Sequence, residues 1–445
     1  MGSLVVGLGK TGASCVRYLT KHGVDVAATD SRSAPPGLAQ IGHLAKTLEI
    51  RLGGFDLTLL DGVSQVLISP GVSLDEPIAR AARVRGIEVV GDVELFARAV
   101  RAPVIGITGT NGKSTVTSLV ASMAGAAGRR VLAGGNLGVP ALDLLDQPVP
   151  DLYVLELSSF QLETTSSLKL LAAVVLNVTA DHLDRYPSVA AYADAKARIF
   201  LHAATGVLNI DDPVVAAMQG EGTTMSSGGR VCRTFSTQRT DADYALLRRD
   251  GRVYLTRHGE ALLDTRRLKI SGLHNAANAL AALALGDAAG LPPAAMLDAL
   301  ESFPGLPHRS AWVAEIGGVR YVDDSKGTNV GATLAAVAGF EVPLVLIAGG
   351  VGKGQDFAPL AAAFANRVRH AVLIGQDAPA MERALAGVCV TERAVSMADA
   401  VAAAARAARS GDTVLLSPAC ASLDMFRDYG HRGDEFAAAV QALAP

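Results

Sequence analysis

The sequence predicts an α/β protein of three domains, each built on a largely parallel sheet covered by helices. Short apolar runs alternate with helical, often alanine-rich stretches, as in repeated βαβ units. Two glycine-rich turns, at residues 7–12 and 106–115, each follow an apolar run and open a helical one. Arg101-Ala102-Pro103 and Pro304-Gly305-Leu306-Pro307 read as linkers that divide the 445 residues into 1–101, 102–304 and 305–445. That division agrees with a prior of ~150 residues per domain.

Composition narrows the function classes. Half the residues are hydrophobic and 19% are charged, enough apolar surface for sizeable cores. A net charge of −3 gives no basic excess for nucleic acid or an acidic membrane. The four cysteines are far apart, with neither disulfide nor CxxC metal spacing, which suits a reducing cytoplasm. No apolar run reaches the ~18 residues of a membrane span, and the N-terminus lacks the basic region of a signal peptide.

The first domain opens with an apolar strand running into Gly7-Leu8-Gly9-Lys10-Thr11-Gly12, a G-x-G-x-x-G turn. A second strand ends at Asp30-Ser31-Arg32, about 20 positions on, completing a dinucleotide-type βαβ unit. The same geometry holds any diphosphate at a helix N-terminus, with Asp30, Ser31 or Arg32 near a sugar or base. A buried-strand run at 66–69 ends at Pro70-Gly71, either a plain turn or a ligand-facing loop.

The central domain begins with Val104-Ile105-Gly106-Ile107-Thr108, then Gly109-Thr110-Asn111-Gly112-Lys113-Ser114-Thr115 and a helix. Such a loop turns backbone N–H groups inward beside a helix N-terminus and cradles phosphates. Lys113 would reach the outer phosphates, and Ser114 or Thr115 would hold magnesium. The common pattern needs Gly at 107, where this chain has Ile107.

Glu156 sits in a strand, where a buried carboxylate needs a cation, either a metal or a basic side chain. His182 follows another strand, at a sheet end where chemistry collects, and is either structural or functional. The stretch 192–200 reads as an amphipathic helix with Lys196 as a solvated surface charge. Residues 209–213 read as a turn opening a helix, and 244–255 as a hairpin around Asp250-Gly251. Asn275 could be a helix N-cap, with Asn278 on the same face.

The last domain opens with His308-Arg309. A hairpin from Trp312 to Val322 turns at Gly317-Gly318 and ends at Asp323-Asp324-Ser325-Lys326-Gly327-Thr328-Asn329. Buried-strand runs follow at 344–348, 371–374 and 414–416. The first leads into Gly349-Gly350-Val351-Gly352-Lys353, the last into Ser417-Pro418-Ala419-Cys420-Ala421-Ser422.

Taken in order, these motifs resemble the Mur ligase family, which builds the peptide stem of bacterial peptidoglycan. The resemblance runs from Gly7 to Phe436 and rests on residues 109–115, 156–162, Asp181-His182, Asp184-Arg185-Tyr186, 274–278, His308-Arg309 and Asp324-Ser325-Lys326. It implies Rossmann-like terminal domains and a central P-loop ATPase-like sheet with an extra hairpin. It also implies ATP-dependent amide formation through an acyl phosphate. Residues 416–424 and 349–353 favour the members that add D-glutamate to UDP-N-acetylmuramoyl-L-alanine. A sister ligase with another amino-acid or folate substrate is the alternative, though folate ligases lack a separate UDP-binding domain. An NAD oxidoreductase would leave residues 109–115 unexplained.

By this resemblance, ATP meets Gly109 to Thr115, Asn278, Arg309 and Asp324. The UDP-linked substrate meets Gly12, Asp30, Ser31, Arg32, Ser69, Gly71, Asn136 and His182. D-glutamate meets Thr328, Lys353 and Ser422. Ser114 and Glu156 hold one Mg²⁺ and His182 helps hold a second, with Lys196 as a carbamate ligand. Lys113, His182, Lys196 and Lys326 are the catalytic set. A cytoplasmic monomer is expected, with domain closure on binding because the ligands span three domains.

Overall fold

The computed structural model describes residues 2–136, 138–219, 230–270, 272–340 and 342–443. Leu137, in the glycine-rich turn 134–138, lies outside the described residues. The chain forms three α/β domains, each around its own sheet.

The first sheet comprises β1 (Gly2–Val6), β2 (Val26–Asp30), β3 (Glu49–Leu52), β4 (Val63–Ile68) and β5 (Glu88–Val90). All pairings are parallel, in the order β3-β2-β1-β4-β5. The chain direction across the sheet reverses between β1 and β4. The crevice beyond their carboxyl ends is therefore where a ligand fits.

The second sheet comprises β6 (Val104–Thr108), β7 (Val131–Gly135), β8 (Leu152–Glu156), β9 (Leu170–Val175), β10 (Ala203–Asn209), β11 (Val231–Ser236), β12 (Tyr244–Arg249), β13 (Arg252–Arg257) and β14 (Glu260–Asp264). Its order is β14-β13-β12-β11-β10-β9-β6-β8-β7, and only the β12–β13 and β13–β14 pairings are antiparallel. The expected hairpin is thus extended by a third strand. Asp250 and Gly251, at φ 52° and 69°, make a two-residue turn of the type that matches strand twist. Strand β6 lies between β8 and β9, so its phosphate-type loop sits beside Glu156 and the segment after β9.

The third sheet comprises β15 (Ala311–Ile316), β16 (Val319–Asp323), β17 (Leu344–Gly349), β18 (Val368–Ile374), β19 (Val390–Arg393) and β20 (Thr413–Leu416). Its order is β15-β16-β20-β17-β18-β19, parallel except for the β15–β16 hairpin. Strand β19 escapes sequence reading because Val390-Thr391-Glu392-Arg393 is a half-exposed edge with no apolar run.

Phe96 packs edge-on against Tyr153 at 5.2 Å, so the first two domains share one apolar cluster. Polar contacts join the helix Lys10–Lys21 to the central domain as well. The Ser14 hydroxyl donates to Asp143 Oδ1 at 2.6 Å, and Arg17 Nη2 reaches both Asp143 oxygens at 2.9 and 2.7 Å. Among the described residues, no helix is long and apolar enough to cross a membrane.

Candidate active site

The loop after β6 is shaped by two glycines at positive φ, Gly109 at 151° and Gly112 at 84°. A Cβ on Gly112 would come within 2.4 Å of Asn278 Oδ1, so the loop could not close there with a side chain. Thr110 donates its N–H to Asn177 O at 2.9 Å, and Asn111 donates its N–H to Asn177 Oδ1 at 2.8 Å. The helix Lys113–Ala126 begins with no side-chain cap, which leaves its first N–H groups to face an anion. Lys113 Nζ folds back on its loop and donates to Gly109 O and Thr110 O, both at 2.8 Å.

Glu156, at the end of β8, is almost fully buried. Ser114 Oγ donates to its Oε2 at 2.6 Å and Asn136 Nδ2 to its Oε1 at 2.7 Å. Arg309 Nη2, from the third domain, donates to Ser114 Oγ at 2.7 Å. Burial pushes the carboxyl pKa up, but Lys113 and these hydrogen bonds outweigh it and hold the pKa below its ordinary value. The buried charge of Glu156 is thus compensated by basic side chains of the chain itself.

Lys196 departs from its expected surface position. The helix Val189–Ala197, capped by Ser188, turns this residue inward to 1% exposure. Its Nζ donates to Gly109 O at 3.0 Å and lies 4.2 Å from the Tyr192 ring centroid. Burial, then the Lys113 charge, push its pKa well below the ordinary lysine value. A helical pattern cannot distinguish an outward lysine from one packed onto a neighbouring loop.

His182 adopts φ 55° and receives its setting from both sides. Its N–H donates to Asp181 Oδ1 at 2.9 Å, and its ring stands edge-on to Phe160 at 5.0 Å. Burial lowers its pKa. Asp181 also pairs with Lys353 Nζ at 2.9 Å and accepts from Asn329 Nδ2 at 3.3 Å. Asn329 in turn exchanges side-chain hydrogen bonds with Asn111 at 3.2 and 3.1 Å.

Three cavities collect most of the residues named from sequence. The central one, about 310 Å³, gathers Thr110, Lys113, Ser114, Asn136, Glu156, His182, Lys196, Lys326, Thr328 and Lys353. A second, about 380 Å³, is walled by Thr115, Asn278 and Asp324, with apolar sides from Leu176 and Phe235. Asn111, Gly112, Arg309 and Lys326 line both. A third, about 540 Å³, lies at the β1/β4 switch point and includes Asp30, Ser31, Arg32, Ser69 and Gly71. It shares Asn136 with the central cavity.

Gly12 does not line the third cavity, and a Cβ on it would stand 1.9 Å from Gly7 O. Asp30 Oδ2 accepts the Leu8 N–H at 2.6 Å while Arg32 grips both carboxylate oxygens, so this pair is already tied to the turn. Ser69 Oγ donates to Gly7 O at 2.6 Å. Ser422 is buried and lines none of the three cavities. Asn275 is not a cap, since its helix starts at Leu273 after Gly272. Its Oδ1 instead accepts from Asn278 Nδ2 at 3.2 Å.

Sequence reasoning missed Asp181, Tyr192 and Asn329 as individual site residues. Tyr192 precedes Lys196 by four helical positions and could have been paired with it. Arg432 gave no signal, because an arginine in a terminal helix usually points to solvent. Here it is buried and donates to Ser325 Oγ at 2.9 Å, Ser325 O at 2.7 Å and Cys420 O at 3.0 Å. It thereby ties the 324–329 loop to the loop after β20. On the first of these, Lys326 Nζ lies 3.7 Å from the Tyr429 ring centroid, and burial lowers its pKa to about 8.

The donor set fits magnesium held in part by a nucleotide. Among the described residues, no three His, Cys, Asp or Glu side chains form a metal cage. Magnesium needs no such cage, because it commonly takes one or two protein oxygens plus phosphates and water. Glu156 Oε2 and Ser114 Oγ, 2.6 Å apart at the phosphate-type loop, supply two such oxygens.

Family profiles match the chain in three blocks. They are the Mur ligase MurD-like N-terminal domain over residues 2–91, the Mur ligase middle domain over 107–286 and the Mur ligase glutamate ligase domain over 308–420. The chain is 55% identical over 444 residues to a UDP-N-acetylmuramoylalanine–D-glutamate ligase of Nitrosococcus oceani, covering 99% of this chain and 96% of the relative. It is 51% identical over 441 residues to the protein of the same name from Methylococcus capsulatus, covering 99% and 95%. Among solved structures, the fold is similar to UDP-N-acetylmuramate-alanine ligase from Thermotoga maritima, with TM-score 0.62, 19% identity and all of both chains covered. A MurF ligase of the same organism, solved with ADP, gives TM-score 0.62 at 16% identity, covering 100% of this chain and 96% of the other.

Proposed function

This chain belongs to the Mur ligase family, and from that premise we infer that it joins D-glutamate to UDP-N-acetylmuramoyl-L-alanine at the expense of ATP. The observation that carries the reading is the arrangement of the cavities. The central cavity shares Asn136 with one neighbour and Asn111, Gly112, Arg309 and Lys326 with the other. A carboxylate arriving from the first-domain side can therefore meet a phosphate arriving from the loop side.

The reaction needs alignment and charge neutralisation more than covalent help. Adenine occupies the cavity of Asn278, Arg309 and Asp324. Loop N–H groups and Lys113 hold the phosphates, with Lys113 exchanging its loop carbonyls for phosphate oxygens. The acceptor carboxylate attacks the terminal phosphorus, and the acyl phosphate forms as ADP leaves. The amine of D-glutamate, held by Lys353 and Thr328, adds to the acyl carbon. The tetrahedral adduct then expels phosphate to give the amide. Lys326, which lines both cavities, would stabilise the leaving charge.

Ser114 and Glu156 would hold one Mg²⁺, and His182 would help hold a second. Bound magnesium neutralises charge developing on the transferring phosphoryl group. Lys196 fits the role of a carbamate. Its lowered pKa favours the neutral amine, the form that attacks CO₂, and loss of a proton then leaves an anionic oxygen donor. The dependence on ATP suits a cytoplasmic enzyme of peptidoglycan precursor synthesis.

The test is phosphate release from ATP with UDP-N-acetylmuramoyl-L-alanine and single amino acids. D-glutamate alone should support turnover, with ADP as product. Turnover with L-glutamate only, or AMP as product, would overturn the reading.

A further inference from the structure

We propose that Lys10 is a further substrate-binding residue, whose ammonium pairs with the diphosphate of the UDP-linked substrate and bridges the first two domains around it. The proposal rests on the UDP reading of the cavity at the β1/β4 switch point. Among the described residues lining that cavity, the only basic side chains are Lys10 and Arg32. Arg32 is neutralised by Asp30, with Nε and Nη2 at 2.8 and 2.7 Å from the carboxylate. Lys10 forms no ion pair with any described carboxylate.

Its place on the helix sharpens the contrast. Lys10, Ser14, Arg17 and Lys21 follow one helical face toward the central domain. Ser14 and Arg17 meet the Asp143 carboxylate, and Lys21 meets Asp146. Lys10 instead donates to a neutral backbone carbonyl, that of Gly138, two residues beyond Asn136. The stripe therefore spends its other donors on carboxylates and leaves one cation uncompensated at the cavity mouth. That cation stands at the first position of a helix with no side-chain cap, where the local field also favours an anion. A diphosphate placed there completes the charge balance and keeps Lys10 in contact with the central domain.

Equilibrium binding of UDP and of uridine to the full-length protein tests this, using wild type, Lys10→Met and Lys10→Arg. The methionine variant should bind UDP roughly tenfold more weakly, the scale of one charge-assisted hydrogen bond. The arginine variant should stay within about threefold of wild type, since it keeps the charge. Uridine should bind all three equally, which also establishes that the variants are folded. Unchanged UDP affinity in Lys10→Met, or an equal loss for uridine, would overturn the role of Lys10. A wild-type protein that binds neither ligand would instead overturn the UDP reading, and this proposal with it.

Discussion

Lys353 Nζ stands 2.9 Å from Asp181 Oδ1, joining the loop after β17 in the third domain to the segment after β9 in the central domain. Both side chains are largely buried, so each compensates a charge that would otherwise be costly. The same seam carries the Asn111–Asn329 pair and the Arg309–Ser114 contact. An amino-acid carboxylate that reaches Lys353 must share it with Asp181 or displace that partner.

Removing Asp181 should therefore loosen the third domain. Asp181→Ala is expected to increase the radius of gyration of the ligand-free protein in solution scattering. Adding ATP and both substrates should bring back a compact profile. Profiles identical to wild type throughout would show that the pair does not hold the domains together. In Lys353→Ala, loss of a charge-assisted bond should raise the KM for D-glutamate at least ~tenfold.

Lys196→Ala should abolish turnover, with partial recovery on adding short carboxylic acids. A readout independent of activity is the carbamate carbon signal in wild-type protein equilibrated with ¹³C-bicarbonate, absent from the variant. Wild-type protein without that signal would leave Lys196 as an amine packed on Tyr192.

Asp324 gives a pH signature. Burial pushes its pKa from 3.8 up to about 7, against the opposing hydrogen bonds from Ser417 and Ser310. Below about pH 4 it is protonated in both folded and unfolded chains. Between about 4 and 7 only the folded chain keeps the proton, so this group's contribution to stability is lost as pH rises through that window. Relative to Asp324→Asn, the wild type should lose up to about 4 kcal/mol across it. Urea unfolding of both proteins at pH 4, 5.5 and 7.5 measures the change. A constant difference between them would contradict it.

Gly12→Ala should weaken UDP binding by displacing the turn, since its Cβ would otherwise lie 1.9 Å from Gly7 O. The effect should greatly exceed that of Gly23→Ala, which meets no atom within 4 Å although its φ of 72° still carries some strain. Equal UDP affinities in the two variants would show that the turn relaxes freely.

What the sequence determined was local. Glycine spacing, apolar strands and chain order sufficed for three α/β domains, the phosphate-type loop and the hairpin turns at Asp250-Gly251 and Gly317-Gly318, because each depends on residues a few positions apart, though not for the turn at His258-Gly259. Tertiary structure decided what depends on residues far apart. Lys196 reads as a surface charge until its helix packs against the loop at Gly109, and Arg432 reads as solvated until two loops close over it. Asp181 meets a partner 172 residues away, and Asn136 acquires its place between two cavities only when the first domain docks. Burial sets the pKa values of Lys196, Lys326 and Asp324, and burial is a property of the packed molecule that no single segment contains.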